Sequence, residues 1–187
     1  MDVHICDFKG DIGNHICFND AHPIQQGGHS SGVIRFFDNT YTEMGNDYGA
    51  ANGVMGPDIH ELNTPIAQNG DSFIQDVFTT VEMDLSDYGG PNSGYVLNCC
   101  FQEIQMGTGK LLFQWCSIDY VPLDDTYVNL AQSGLYTLPV AGNGSQAAPW
   151  DYFHINSIGR NVEGDFVVSG RHTDTIYKIA GSSGSNG

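Results

Sequence analysis

Basic residues are scarce in this 187-residue chain. Six Lys plus Arg stand against 22 Asp plus Glu, giving a formal net charge of -16. Such a surface repels a phosphate backbone, so nucleic acid is not expected as a partner, and an anionic membrane face is disfavoured for the same reason. Long apolar runs are missing as well: none nears the roughly 20 residues that span a bilayer. The start, Met1-Asp2-Val3-His4, has neither the basic nor the apolar region of a secretory signal. No Cys-x-x-Cys pair marks a zinc site. A sustained 3.6-residue apolar period, the mark of an amphipathic helix, is also lacking.

What the chain does have is glycine, 24 residues of it, placed largely in turn-like settings such as Gly-Asp, Gly-Gly, Thr-Gly and Asn-Gly. That punctuation favours many short strands over a few helices. Three hairpins are predicted. The first is 33–37 and 41–44 around Asp38-Asn39; the second is 101–104 and 111–115 around Met106–Gly109. The third starts at 175–179 and runs into Gly181 before any return strand. Two segments, Glu82–Gly94 and Ser117–Trp150, read as insertions, and the second carries the one N-glycosylation sequon, Asn143-Gly144-Ser145. Residues 181–187 form a Gly/Ser-rich tail after a single domain over 1–180.

A histidine recurs in one local setting. His60 and His154 each stand ten residues before a Gly-Asp turn, Gly70-Asp71 and Gly164-Asp165, and each turn leads into an apolar strand, 73–78 and 166–169. A strand-turn unit used twice is the mark of a repeat architecture. The equivalent histidines are expected to aim at one point. An aspartate two or three residues upstream, Asp58 or Asp151, is placed to orient each imidazole through its second nitrogen. Arg171 and His172 follow His154 by 17 and 18 residues, and Arg171 is one of only three arginines, with Arg35 and Arg160. An anionic ligand on so acidic a chain needs such a local cation.

His4, His15, His22 and His29 form a second group, but their spacings of 11, 7 and 7 match no compact ligand motif, so no metal is assigned. Five cysteines are an odd number. Cys6 and Cys17 are placed to bridge a hairpin or to remain buried thiols, and the adjacent Cys99 and Cys100 must point to opposite faces of a strand. The fold expected is all-β, part of a β-propeller, which hides its sheet edges by packing blades in a ring.

Five stretches extend this reading: Asp58-Ile59-His60-Glu61, Asp84-Leu85-Ser86, Cys100–Ile104, Trp150–Ile158 and Arg171–Ile179. Together they resemble the arylsulfotransferase (ASST) family, closest to its fungal branch, from about His4 to Ile179. The resemblance implies a six-bladed propeller, of which this chain would supply about three blades. It also implies a site in the central channel that moves a sulfuryl group from an aryl sulfate to a phenol, by way of a sulfohistidine and without a cofactor. By position, His60, His154 and Arg171 match catalytic residues; Asp58, Asn156 and His172 are expected to bind the aryl sulfate or phenolic substrate. The family's attacking histidine lies downstream of the segment matching Arg171, so the chain is expected to be an inactive fragment. The resemblance further implies secretion. The alternative is a non-catalytic propeller module that closes its ring as a homodimer.

Overall fold

The computed structural model describes residues 3–8, 11–23, 29–45, 47–52, 55–64, 72–130 and 142–181, with side chains from His15 onward except that of Pro23. The chain is all-β and forms three antiparallel sheets in chain order. The first holds β1 (Val3–Phe8), β2 (Asp11–Pro23) and β3 (Ser30–Phe37). The second holds β4 (Leu62–Asn63), β5 (Ser72–Met83), β6 (Gly94–Gln105) and β7 (Leu111–Cys116). The third holds β8 (Ile155–Arg160), β9 (Phe166–Gly170) and β10 (Thr175–Ile179). In each sheet, neighbours in sequence are neighbours in space, as short turns dictate. The Gly70-Asp71 turn and residues 182–187 lie outside the described residues.

The middle sheet is buried on both faces, and the period-two alternation of its strands sends side chains to two different cores. Ile74 of β5 and Phe101 of β6 enter one core, shared with Phe153, Ile155, Phe166 and Val168 of the third sheet segment. There Phe101 and Phe113 lie 4.8 and 4.7 Å from Phe166, ring centre to ring centre. Phe73 and Ile104 point the other way, into a core with Ile34, Phe36 and Tyr48 of the first sheet segment. Phe73 is the hinge of that core, 5.3 Å from Phe36 and 5.2 Å from Tyr48. A sheet held between two others in this way buries most of its apolar surface, the dominant stabilising term.

The predicted second hairpin is β6–β7. The first forms in part: the return leg 41–44 lies antiparallel on β3, with Asp38 N–H to Thr42 O (3.0 Å), Met44 N–H to Phe36 O (2.8 Å) and bridges from Phe37 to Glu43 and, further on, Ile34 to Tyr48, while the other edge of β3 pairs with β2. Asp38 shapes the turn. Its Oδ1 accepts from the amides of Thr40 (2.8 Å) and Thr42 (3.0 Å), and Tyr41 turns through φ 62°. The third expected hairpin is replaced by pairing of β10 with the preceding β9, Thr175 opposite Gly170 through Ile179 opposite Phe166. Glu82–Gly94 is not an insertion, because β5 and β6 pair continuously out to Met83 and Gly94 and only the intervening loop turns.

Cys17 is disulfide-bonded, while the side chain of Cys6, its expected partner, lies outside the described residues. A second bridge joins Cys100 of β6 to Cys116 of β7, which face each other in register, and leaves Cys99 as a buried free thiol on the opposite face.

Gly170 closes β9 where space is tight. A Cβ there would meet Thr173 Oγ1 at 2.5 Å and the Phe153 ring at 2.8 Å. Gly170→Ala is therefore expected to cost about 1–3 kcal/mol through overpacking, read as a lowered urea midpoint with an unchanged slope.

Candidate functional site

Three lead-in segments converge in the interior. His29 immediately precedes β3, Asp58 and His60 lie just before β4, and Asp151 and His154 lie just before β8. Each lead-in is anchored locally. Asp58 is fully buried; its Oδ1 accepts from the amide of Ser30 and from Ser30 Oγ (2.9 Å), and its own amide donates to Asp76 O of β5 (2.9 Å). Tyr152 and Phe153 are fully buried beside Asp151, so the third lead-in is pinned by aromatic packing. The β9–β10 turn is tied to it as well, by Arg171 N–H to His154 O (2.9 Å) and His172 N–H to Phe153 O (3.0 Å).

The expected Asp–His pairs both form. His60 Nδ1 bonds to Asp58 Oδ2, and His154 Nδ1 bonds to Asp151 Oδ2 at 2.5 Å. The two rings meet edge to face with centres 4.9 Å apart. His29 joins the pairs into one chain: its Nδ1 is 3.3 Å from Asp58 Oδ2 and its Nε2 is 3.0 Å from Asp151 Oδ2. The order is His60, Asp58, His29, Asp151, His154. His172 packs on the far end, 4.8 Å from His154, with its Nδ1 donating to Asp151 O at 2.5 Å. One strained residue lies here too. His154 adopts φ 54°, a left-handed conformation that side chains other than glycine rarely take and that tends to persist at functional sites.

Electrostatics follow from this packing. Burial alone would lower the pKa of His29, but hydrogen bonds and charge from Asp151 and Asp58 overcome it and lift the value to about 9. Burial works to raise Asp58, yet the hydrogen bonds from His29 and His60 hold its carboxyl well below the usual range; Asp151 is held low in the same way by His154 and His29. Asp76, buried behind them, is pushed up by burial and by the charge of Asp58. His172 is lowered, first by burial.

Of the residues singled out in the sequence, Asp58, His60, His154 and His172 come together. Arg171 is exposed and reaches the cluster through its backbone. Among the described residues it is the arginine without an ion pair: Arg35 faces Asp20, Glu43 and Asp47, and Arg160 is bonded to Glu103 and lies over Phe166. Asn156 does not join the cluster; it is exposed at a bulge of β8, where the register shifts between Ile155 and Ser157.

His29 belongs to the site and not to a separate amino-terminal group. One local signal accompanies it: Gly28-His29-Ser30-Ser31-Gly32 has the Gly-x-Ser-x-Gly spacing of a hydrolase elbow. The structure gives Ser30 a different task. It opens a strand instead of a strand-to-helix turn, and its hydroxyl donates to Asp58, so it anchors the carboxylate.

Two groups of donors could hold a metal ion, His29 with Asp151 and His154, and His29 with Asp58 and His60. Within each group, one ligand atom from every residue lies within 4.8 Å of the others.

A family model described as arylsulfotransferase (ASST) matches residues 12–185. No curated protein and no solved structure matches the chain.

Proposed function

This chain belongs to the arylsulfotransferase (ASST) family, and we propose that its histidine cluster is the oxyanion-holding part of a sulfuryl-transfer site. The substrate would be an aryl sulfate, the acceptor a phenol. The observation that carries this reading is the pair of Asp-bound imidazoles, from two separate lead-ins, facing each other at 4.9 Å. A carboxylate on Nδ1 fixes the tautomer and stabilises the imidazolium, which leaves Nε2 to face a ligand.

In the transfer, the attacking histidine nitrogen bonds sulfur as the bond from sulfur to the aryl oxygen breaks and the phenolate leaves; the acceptor phenol, losing its proton, then takes the sulfuryl group as the nitrogen–sulfur bond breaks. Charge on the sulfuryl oxygens shifts as it does so, and fixed cationic donors lower that barrier. His60, 19% exposed, and Arg171 are reachable from solvent and are assigned to the oxyanion. Arginine suits a multi-oxygen anion because its donors form a rigid fork. His154 is wholly buried behind His60 and acts as a positioning residue through ring contact and through Asp151. The attacking histidine, which the resemblance sets after the Arg171 segment, is not among the residues assigned here. The three sheets in chain order, the middle one packed on both faces, support reading them as blades of a propeller.

Binding of 4-nitrophenyl sulfate, measured by calorimetry, tests this directly. Arg171→Ala removes an exposed side chain and should leave the fold intact. Losing one charge-assisted contact of about 1.5–3 kcal/mol corresponds to roughly 10–100-fold weaker binding. 4-Nitrophenol, lacking the sulfate, should bind equally to both proteins. Unchanged aryl sulfate affinity in both Arg171→Ala and His60→Ala would sink the assignment.

A further inference from the structure

Three buried carboxylates, Asp58, Asp76 and Asp151, lie in one interior region. Among the described residues no lysine or arginine side chain bonds to any of them; the counter-groups bonded to Asp58 and Asp151 are imidazoles, and Asp76 accepts from the Glu61 amide. Imidazole is also in surplus. His154 and His172 each keep a buried Nε2 with no hydrogen-bond partner among the described residues. Such a concentration of nitrogen and carboxylate donors in a dry interior is costly unless something satisfies it.

The arrangement around His29 has a specific form. Its Nε2 faces Asp151 Oδ2, on which His154 Nδ1 also converges, while its Nδ1 faces Asp58 Oδ2. Asp58 is itself held by Ser30 and His60. A histidine that presents one nitrogen to a ligand set and gives its other N–H to an anchored carboxylate is how metal-binding histidines are oriented. We propose that His29, Asp151 and His154 form a binding site for one divalent transition-metal ion of the Zn2+ or Co2+ class. Asp58 orients His29 from outside the ligand set.

The donor types decide the class of ion. Two imidazole nitrogens and one carboxylate oxygen suit zinc and its neighbours, whereas Ca2+ and Mg2+ take shells of oxygen. His172 packs beside the triad as a third imidazole, its Nδ1–H held by Asp151 O at 2.5 Å and its buried Nε2 left without a partner among the described residues. The triad is fully buried, which fits an ion that braces the lead-in of β3 to that of β8. This inference stands apart from the sulfuryl-transfer reading, and its test uses no aryl substrate.

The test titrates Zn2+, and Co2+ as a visible-absorption probe, into the chelator-treated 187-residue chain without affinity-tag histidines. One equivalent is expected to bind with Kd at or below about 1 μM, with ring NMR signals of His29 and His154 moving together. Asp151→Asn, nearly isosteric, should abolish the tight equivalent. Asp58→Asn should weaken it by roughly 10–100-fold, as loss of a ligand's outer partner does. His22→Ala, on an exposed residue of β2, should leave it unchanged. Failure of the unsubstituted chain to bind would overturn the proposal. So would full-strength binding in Asp151→Asn, or ring signals of His29 and His154 that stay fixed as the ion is taken up.

Discussion

Asp151→Ala is expected to lower the stability of the chain by about 3–5 kcal/mol, the range for removing one partner from a buried charged pair. The carboxylate accepts from His29 at 3.0 Å and from His154 at 2.5 Å, and its backbone oxygen accepts from His172. All three imidazoles are buried. Without the side chain, His29 keeps Asp58 alone, and His154 is left with both ring nitrogens unpaired in the interior. Neither can recover its bonds from water, so the desolvation cost stands uncompensated. His60→Ala is the contrast. It removes a partly exposed ring from an Asp58 that still accepts from Ser30 and His29, and it should cost about 1 kcal/mol. Urea unfolding of both variants checks the order. Equal small losses would mean that the five-membered chain is not continuous in solution.

The same two aspartates explain what could be read from the sequence. His60 and His154 were legible because each carries its carboxylate two or three residues upstream, so pairing needed no knowledge of the fold. His29 has no such neighbour: its acceptors are 29 and 122 residues away, a distance only the assembled sheets can close. Its position just before β3, matching that of His154 just before β8, becomes meaningful once the strands are known. The β6–β7 hairpin was visible in its Gly-containing turn, yet the Cys100–Cys116 bridge was not. Ile104 opposes Leu111 while Glu103 opposes Phe113, so a bulge at the exposed Leu112 moves the count by one. Without that extra residue Cys100 would face Trp115. The family was legible from ordered motifs spread along the chain, and the match over residues 12–185 bears it out. The return leg after Asp38 pairs less regularly than its sequence suggests, because the Asp38 carboxylate takes the Thr40 and Thr42 amides.

Stability of the chain in chelator should fall by about 3 kcal/mol as pH rises from about 6.5 to beyond 9. The cause is His29. Its pKa is lifted from 6.5 to about 9 in the folded chain, a difference worth about 3 kcal/mol at roughly 1.4 kcal/mol per pH unit. A raised folded value means the folded state holds the proton more tightly than the unfolded one. The contribution is therefore complete below about 6.5, declines as the unfolded chain ceases to bind that proton, and is gone once pH passes 9. Asp58 and Asp151 act in the opposite sense. Their carboxyls are held low, so what they contribute is present above about 4 and lost on acidification. Asp76, pushed up by burial, favours the folded state only while protonated and offsets part of that gain. The ionisable groups against His29 are Asp58, Asp151, His60 and His154, with Phe78 closing its apolar side. His29→Gln keeps hydrogen-bonding capacity but cannot titrate, so its profile should be flat between pH 6.5 and 9 while starting from a lower plateau. A parallel decline in the variant would assign the loss to other groups. A flat profile in the unsubstituted chain would mean that His29 is neutral between its two carboxylates.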